Sequence, residues 1–418
     1  MTRFILIPYG SHGDVHPFTG LGEELRRRGH EVLFFVNGHF APLMEKLGFP
    51  VELFGTDEDF RKATLNPDIW HPTKGFGVVA EGVKEGYLMH LYEQIQKHSR
   101  PGRTVLVSSG MALGARVAHE KLGIPLATVH LQPAILRSVH RPPKLPGAPW
   151  PAWAPQGYTR LMYWLADFGF VDPILGNPLN AFRAELGLPP VKRFMHAWWH
   201  SPQLVVALFP EWFAEPQPDW PPQTVCAGFP LYDERGVEPL PADVAAFLDS
   251  GSPPIVFTPG SAHRHGRGFF ETAAAACAQL GRRGMLLSRH RENVPEKLPD
   301  GVQHFAYVPF SELLPHAAAS VHHGGVGTCA QGLAAGVPQL VWPLAHDQFD
   351  NAARLTALGV GDELRPKHFS VPNLVAKLRR LLDNPQVKAR AQALAARIDG
   401  KLARERAVDA IERLIPAP

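Results

Sequence analysis

The amino-acid sequence predicts an α/β protein made of two doubly wound parallel-sheet domains that face each other across a cleft. The chain has 418 residues, more than one hydrophobic core usually supports. Short apolar runs alternate with amphipathic segments in both halves, and a proline- and acid-rich stretch at 231–244 separates them. These observations predict an N-terminal domain at 1–232, a C-terminal domain at 233–395, and a final helix at 396–418 that could pack back on the N-terminal domain.

The spacing of apolar residues predicts the elements of each half. In the first half, the runs at 3–8 and 31–37 have strand character, and the segment at 18–29 has helical periodicity. In the second half, strand-like runs occur at 253–261, 285–290, 302–308, 320–325 and 338–343. Strands separated by helices of this length form parallel sheets with right-handed crossovers. Ligands of such sheets bind beyond the carboxyl ends of the strands, so the ligand site is expected in the cleft.

Composition argues against several classes of partner. Lys and Arg total 42 and Asp and Glu 39, for a net charge of +3, and the charges are scattered, so we expect no nucleic-acid partner. The three cysteines, Cys226, Cys277 and Cys329, lie far apart, which argues against a disulfide framework or a zinc site. No run approaches the roughly 20 apolar residues of a membrane helix. The apolar run at 4–8 is too short for a signal peptide. We expect a cytoplasmic protein, with peripheral contact to the inner membrane face as an option.

A glycine-rich turn is the strongest candidate site. It lies in the segment VHHGGVGTCAQGLAAGVPQLVWPLAHDQFDNA at 321–352, between a predicted strand and a predicted helix. Its glycines are Gly324, Gly325 and Gly327. Thr328 adds a hydroxyl donor in the first turn of the helix, and His322 and His323 are expected to add imidazoles at the mouth of the turn. Free backbone N–H groups and the positive end of a helix dipole would suit a pyrophosphate there. The alternative is a tight turn that needs glycine only for its dihedral angles.

Two polar residues follow the next predicted strand. Asp347 and Gln348 offer acceptors and donors for several sugar hydroxyls, although Asp347 could instead be only a helix N-cap. The spacing Gly325-x-Gly327-x-x-Ala330, with Asp347 further on, also matches a dinucleotide-binding pattern and leaves a nicotinamide-dependent oxidoreductase as an alternative. Against it, at least three predicted strands of the C-terminal half precede the turn, whereas that pattern normally follows the first strand.

The loop GSHGDVHPF at 10–18 follows the first predicted strand. Pro17 suits the first position of a helix and His16 a cap, so Asp14 is predicted in the loop, where a general base for an acceptor hydroxyl would be needed. The alternative is that Asp14 only shapes the turn. The polar turn Thr258-Pro259-Gly260-Ser261 directly follows another predicted strand and could contact a phosphate, although on its own it is no more than a loop.

The region 142–199 is dense in proline and aromatic residues. These rings could wall an apolar acceptor pocket, or they could form a packed excursion over the first sheet. Within it, the segment at 158–170 is a candidate acceptor lid or membrane-touching face, with an ordinary packed helix as the alternative.

The sequence resembles the two-domain GT-B glycosyltransferases of family 1 along essentially its whole length. The pattern HHGGVGT…GVPQ…P…DQ is similar to the donor-binding signature of macrolide, glycopeptide and sterol glycosyltransferases. The resemblance implies an acceptor-binding N-terminal domain and a nucleotide-sugar-binding C-terminal domain. It implies these roles: His323 and the turn 324–328 on the diphosphate, Asp347 and Gln348 on the sugar, the backbone of Val308 on the nucleobase, and Ser261 on a phosphate.

The opening loop resembles the family pattern G-x-x-G-D-V-x-P-F, which transfers the role of general base to Asp14, with His16 as second choice. Within the family, the strings ALGARVAHEKLGIP, GFPLYD and AHDQFDNAARL resemble the rhamnosyltransferases of the rhamnolipid type. Two departures leave the donor open. His323 stands where that subgroup is expected to have proline, and Gln331 stands where plant members use glutamate on the ribose.

The resemblance therefore implies an inverting transfer of a hexose, rhamnose or glucose, from a dTDP- or UDP-sugar to a hydroxyl of a hydrophobic small molecule or lipid. No metal or other cofactor is expected, since no DxD pair stands near the glycine turn. The alternatives are an NAD(P)-dependent oxidoreductase and a noncatalytic sugar-nucleotide-binding subunit.

Overall fold

The computed structural model describes residues 1–84, 87–148, 150–151, 153–236, 240–261, 263–264 and 266–416. Residues 237–239 of the predicted linker and residues 417–418 of the predicted last helix lie outside the described residues.

The first sheet has seven parallel strands. They are β1 (Arg3–Ile7), β2 (Glu31–Val36), β3 (Val51–Leu53), β4 (Thr104–Ser109), β5 (Leu126–His130), β6 (Leu204–Ala207) and β7 (Thr224–Cys226). Their order across the sheet is β3-β2-β1-β4-β5-β6-β7. The apolar side chains of β1 are fully buried, because elements pack on both faces of a parallel sheet.

Helices connect these strands. They are α1 (His12–Arg27), α2 (Ala41–Lys46), α3 (Asp57–Leu65), α4 (Gly75–Lys84), α5 (Tyr87–His98), α6 (Leu113–Leu122), α7 (Gln156–Ala166), α8 (Asn177–Glu185) and α9 (Phe194–Ala197). A π-helical stretch, Asp167–Gly176, joins α7 to α8. Short 3₁₀ turns lie at Gly38–Phe40, Pro67–Trp70 and Pro133–Ile135.

The second sheet has six parallel strands. They are β8 (Ile255–Thr258), β9 (Gly284–Leu287), β10 (Val302–Phe305), β11 (Ala319–His322), β12 (Gln339–Val341) and β13 (Gly361–Glu363). Their order is β10-β9-β8-β11-β12-β13. The predicted pair of doubly wound parallel sheets is thus confirmed.

The helices of this half and of the C-terminal segment complete the fold. They are α10 (Ala242–Asp249), α11 (Arg267–Leu280), α12 (Phe310–Leu313), α13 (Val326–Ala334), α14 (Gln348–Ala357), α15 (Val371–Leu382), α16 (Pro385–Ala395) and α17 (Gly400–Glu412). Further 3₁₀ turns lie at Arg291–Asn293, Leu314–His316 and Pro366–His368. No helix of the described residues is long and apolar enough to cross a membrane.

Strand order reverses at one point in each sheet, and these points position the candidate site. β1 lies between β2 and β4, and β8 lies between β9 and β11. Thr258 at the end of β8 is paired with His322 at the end of β11, so the turns that follow these strands start side by side. Such reversal points are where doubly wound sheets bind ligands.

The chain passes between the two sheets twice, because α17 packs on α1 of the first sheet's layer. Arg28 Nη1 lies 2.6 Å from Asp409 Oδ1 and 2.7 Å from Glu412 Oε2. Val408 and Ile411 are fully buried in the core under β1, β2 and β4. The boundaries at residues 232 and 395 stay a prediction.

The excursion between β5 and β6 is organised around a buried carboxylate. Asp167 is fully buried, with Arg137 Nη1 at 2.5 Å and Arg193 Nε at 3.1 Å. Around it, Tyr163 and Trp199 are buried, so part of the aromatic region is a packed excursion.

Candidate active site

A cavity of about 1010 Å³ lies between the two sheets and is lined by loops from the carboxyl ends of both. The predicted site residues that line it are Asp14, His16, Ser261, Val308, His323, Gly325, Gly327, Thr328, Asp347 and Gln348. Residues from the two ends of the chain therefore meet in one cleft. Gly324 is buried and does not line the cavity.

Asp14 lies in the first turn of α1, because the helix begins at His12. The prediction that Asp14 lies in the loop, with His16 as cap and Pro17 as first helical residue, is therefore wrong. Ser11 precedes the helix, and Asp14 Oδ2 accepts hydrogen bonds from Ser11 N at 2.7 Å and Ser11 Oγ at 3.1 Å. This reciprocal cap starts the helix well before Pro17. Burial raises the pKa of Asp14 to about 6, although the Ser11 hydrogen bonds oppose that shift.

His16 lies two residues further along α1 and faces the segment that leads to the second sheet. Its Nε2 is 2.8 Å from Glu234 Oε1, and its ring meets the Tyr232 ring edge-on at 5.5 Å. The ring thus lines the cavity while one nitrogen is held by Glu234.

The turn after β11 depends on glycine at two positions. Gly324 has a φ of 93°, and a Cβ there would lie 2.5 Å from Val341 Cγ1. Its carbonyl accepts a hydrogen bond from Asn351 Nδ2 at 2.9 Å, which ties the turn to α14. A Cβ on Gly325 would lie 2.5 Å from His323 Nε2. Glycine is therefore needed for backbone conformation at Gly324 and for the place of the imidazole at Gly325.

The N-terminus of α13 faces the cavity through Val326, Gly327 and Thr328. The first N–H groups of a helix have no partner inside it, so they can bind an anion there.

His323 lies at the mouth of this turn, whereas His322 does not. Burial lowers the pKa of His323 to about 3, so its ring is neutral at physiological pH. Its buried Nδ1 has no hydrogen-bond partner among the described residues. A neutral ring with a free nitrogen can bind a ligand by hydrogen bonding rather than by charge.

The expectation that His322 adds an imidazole at the mouth of the turn is wrong. Its ring is fully buried at the end of β11. Its Nδ1 accepts a hydrogen bond from Gly324 N at 3.1 Å, and its Nε2 lies 2.9 Å from Gln339 Oε1. His322 holds the turn in shape because both ring nitrogens already have protein partners.

Asp347 occupies the N-cap position of α14, as the alternative expects, but its side chain makes no capping hydrogen bond. Instead, Asp347 Oδ2 accepts a hydrogen bond from Asn351 Nδ2 at 2.7 Å. Burial raises the pKa of Asp347 to about 7, and the negative charge of Asp14 raises it further. Two carboxyl groups from opposite sides of the cleft are therefore close enough to affect each other's ionisation.

Gln348 and His346 fix the loop that carries Asp347. Gln348 Oε1 accepts hydrogen bonds from Leu344 N at 2.7 Å and Ala345 N at 3.1 Å. His346 has a φ of 56°, uncommon outside glycine, and its Nε2 lies 2.9 Å from the Ile69 carbonyl oxygen of the opposite half. This contact joins the donor-side loop to the first sheet's layer.

The remaining predicted residues follow two other strands of the second sheet. Ser261 follows β8, and Val308 follows β10 with its side chain buried. Sequence reasoning missed Arg289, whose guanidinium lies 4.7 Å from the centre of the Tyr307 ring and which lines the cavity. Its position just after β9 was the available signal. No group of three or more potential metal ligands occurs within the described ranges, and the expectation of metal independence stays a prediction.

The part of the cavity nearer the first sheet is predominantly apolar. Its walls include Phe76, Met111, Ile135, Trp150, Phe170, Val171, Met195 and Trp199. Arg137 also lines the cavity. This composition suits an apolar ligand with a few polar groups.

Known glycosyltransferases are similar to this chain along its whole length. The N-terminal domain model of glycosyltransferase family 28 matches residues 4–141, and the model of the erythromycin biosynthesis protein CIII-like C-terminal domain matches residues 285–414. O-mycaminosyltylonolide 6-deoxyallosyltransferase of Streptomyces fradiae is 29% identical over 98% of this chain and 97% of its own. Glycosyltransferase GtfE of Amycolatopsis orientalis is 30% identical over 95% of this chain and 94% of its own.

Solved structures share the fold at lower identity. The glycotransferase of kitacinnamycin has a TM-score of 0.75 at 22% identity, covering 99% of both chains. Spinosyn rhamnosyltransferase SpnG complexed with thymidine diphosphate has a TM-score of 0.67 at 19% identity, covering 95% of this chain and 96% of that chain. The shared fold and the similarity to glycosyltransferase GtfE over nearly the whole chain together define the class of protein, a GT-B glycosyltransferase.

The chain belongs to family 1 of these enzymes and is homologous to macrolide glycosyltransferases. The oxidoreductase alternative is wrong, which agrees with the position of the glycine turn after β11, the fourth strand of its sheet in chain order. The closer resemblance to rhamnolipid-type rhamnosyltransferases stays a prediction.

Replacing Gly325 by Ala should weaken nucleotide binding at least tenfold. The new methyl group would occupy the place of the His323 ring and push it from the mouth of the turn. Nucleotide-induced thermal stabilisation measures the effect. Gly268→Ala in α11 is the matched control, because a Cβ there meets no atom within 4 Å. Equal stabilisation of both variants by UDP and dTDP would contradict the expected role of His323.

Proposed function

We propose that the chain transfers a hexose from a dTDP- or UDP-sugar to a hydroxyl of an apolar acceptor, with inversion at the anomeric carbon. The main support is the meeting of two sets of groups in one cavity: the Asp14 carboxyl group from the first half, and the glycine turn with Asp347 from the second. The charge of Asp14 also raises the pKa of Asp347, as expected for two carboxyl groups that line the same cavity.

In this proposal the second half holds the donor. The diphosphate meets the free N–H groups of α13, the neutral imidazole of His323 and the hydroxyls of Thr328 and Ser261. Asp347 and Gln348 bind sugar hydroxyls, and the Val308 backbone meets the nucleobase. A thymidine nucleotide is favoured as the first to test, because the structural relative SpnG has been solved with thymidine diphosphate.

The chemical step is a direct displacement. The acceptor oxygen attacks the anomeric carbon as Asp14 takes its proton, and the bond to the diphosphate breaks with its electrons going to the phosphate oxygen. General base catalysis of this kind contributes about 10²–10⁴ in rate. The fixed donors around the diphosphate stabilise the growing charge without rearranging, so no metal is required by this scheme.

A nucleotide screen followed by an acceptor panel tests the proposal. Thermal shift with UDP, dTDP, GDP and NADPH identifies the nucleotide, and mass spectrometry then detects sugar transfer to hydroxyl-bearing lipids, polyphenols and macrolides. NMR of the product gives the anomeric configuration. Nucleotide binding without transfer to any acceptor would instead favour the noncatalytic subunit, and retention of configuration would overturn the direct displacement.

The rate of transfer should depend on pH through Asp14. Only the ionised carboxylate can take the proton, and burial raises the pKa of Asp14 to about 6. The value of kcat/KM for the acceptor should therefore fall about tenfold for each pH unit below that pKa and level off above it. Nucleotide release at saturating donor measures the profile. A rate that is constant from about pH 5 to pH 7 would contradict the assignment of Asp14 as the base.

A further inference from the structure

The outward side of α7, with the segment just before it and the π-helical stretch after it, carries exposed apolar side chains. This aromatic face consists of Trp153, Tyr158, Leu161, Trp164, Leu165 and Phe168. Trp153 is 82% exposed and Phe168 is 70% exposed. The rings of Trp164 and Phe168 stack with their centres 5.6 Å apart. Exposed apolar clusters of this kind mark binding surfaces, whereas single exposed residues do not.

The inward side of the same elements lines the apolar part of the cavity. Tyr163 and Ala166 of α7 and Phe170 of the π-helical stretch are lining residues. Phe170 is also exposed, and its ring packs against Phe76 of α4 with centres 5.3 Å apart. Apolar surface is therefore continuous from the solvent side of α7 to the cavity.

The charge of the aromatic face favours a lipid surface as its partner. The charged residues between positions 156 and 170 are Arg160, which is exposed, and Asp167, which is fully buried and paired with two arginines. Aromatic side chains with a cation and no exposed anion match the boundary of an anionic bilayer.

We propose that the aromatic face docks on an anionic lipid bilayer, and that an apolar acceptor passes from the bilayer into the cavity beside Phe170. The docking follows from the exposure and charge of the aromatic face and does not depend on the proposed function. The passage of the acceptor rests on the proposed function.

Sedimentation with vesicles tests the docking. Vesicles of phosphatidylcholine with phosphatidylglycerol should bind the chain, and Trp164→Ser combined with Phe168→Ser should lower the partition coefficient at least tenfold. Both side chains are exposed, so the fold should persist. Leu53→Ser combined with Leu402→Ser is the matched control, because these exposed apolar residues lie outside the face. We expect weaker binding to vesicles of phosphatidylcholine alone than to the anionic vesicles. Arg160→Glu should weaken the binding to the anionic vesicles and leave the binding to pure phosphatidylcholine vesicles unchanged.

Several outcomes would overturn the proposal: a chain that stays in the supernatant with both vesicle types, or a Trp164/Phe168 double variant that sediments like the unaltered chain. A dimer in analytical ultracentrifugation that the same double variant dissociates would also overturn it, because the face would then be an interface between copies of the chain. Stabilisation by dTDP is measured in parallel. Vesicle binding without nucleotide stabilisation would support the docking and count against the proposed donor site.

Discussion

Asp14→Asn is expected to lower the rate of sugar transfer by about 10²–10⁴ while leaving nucleotide binding intact. Asparagine keeps an oxygen that can accept the hydrogen bonds from Ser11, so the start of α1 should persist. The amide cannot take a proton from the acceptor hydroxyl. Single-turnover transfer measures the rate, and thermal stabilisation by dTDP or UDP measures nucleotide binding.

Asp59→Asn is the matched control for this change. Asp59 occupies the same position in α3 and caps it in the same way, with Thr56 N at 2.8 Å and Thr56 Oγ1 at 2.7 Å from its Oδ2. Unlike Asp14, it lies at the exposed rim of the cavity, and its hydrogen bonds with Thr56 hold its pKa below the usual value. If Asp14→Asn lowered the rate no more than Asp59→Asn, Asp14 would be only a helix cap.

Asp167→Asn should lower the free energy of unfolding by about 3 kcal/mol, because it leaves two arginines around a buried group without their counter-ion. The side chains of Arg137 and Arg193 are 17% and 31% exposed, so water offsets part of the loss. Denaturant unfolding followed by tryptophan fluorescence measures the change. The exposed pair Arg267–Glu271 provides the comparison, since Glu271→Gln should cost less than about 0.5 kcal/mol. Equal losses would contradict the central role of Asp167 in the excursion.

The parts of the fold that depend on local pattern could be predicted from the sequence. The runs at 3–8 and 31–37 coincide closely with β1 and β2, and the run at 285–290 overlaps β9, because a buried parallel strand needs apolar side chains on both faces. The glycine turn could also be predicted, because its residues are contiguous in the sequence and lie directly between a strand and a helix.

Features that depend on contacts between distant segments could not be predicted. The sequence predicts a helix that starts at Pro17 and so puts Asp14 in the loop and His16 at the cap, whereas the Ser11–Asp14 cap begins α1 at His12. The sequence does not distinguish the two adjacent histidines, yet the His322 ring stabilises the turn and the His323 ring faces the cavity. The difference depends on Gln339 of β12, whose side chain is hydrogen-bonded to the His322 ring. The exposed face of α7 likewise becomes visible only when the packed side of the helix is known.

The two passages of the chain between the sheets restrict how the halves can move. One passage includes Leu231 and Glu234, whose φ angles are 45° and 63°, and the other joins α16 to α17. Arg404 Nη1 of α17 donates a hydrogen bond to the Pro230 carbonyl oxygen at 2.6 Å, so the two passages lie together. Two passages that lie together can act as one hinge about which the cleft opens and closes, and opening would have to break the His346–Ile69 contact. Each catalytic cycle would then open the cleft at its far rim and bring the same atoms back into register on closing.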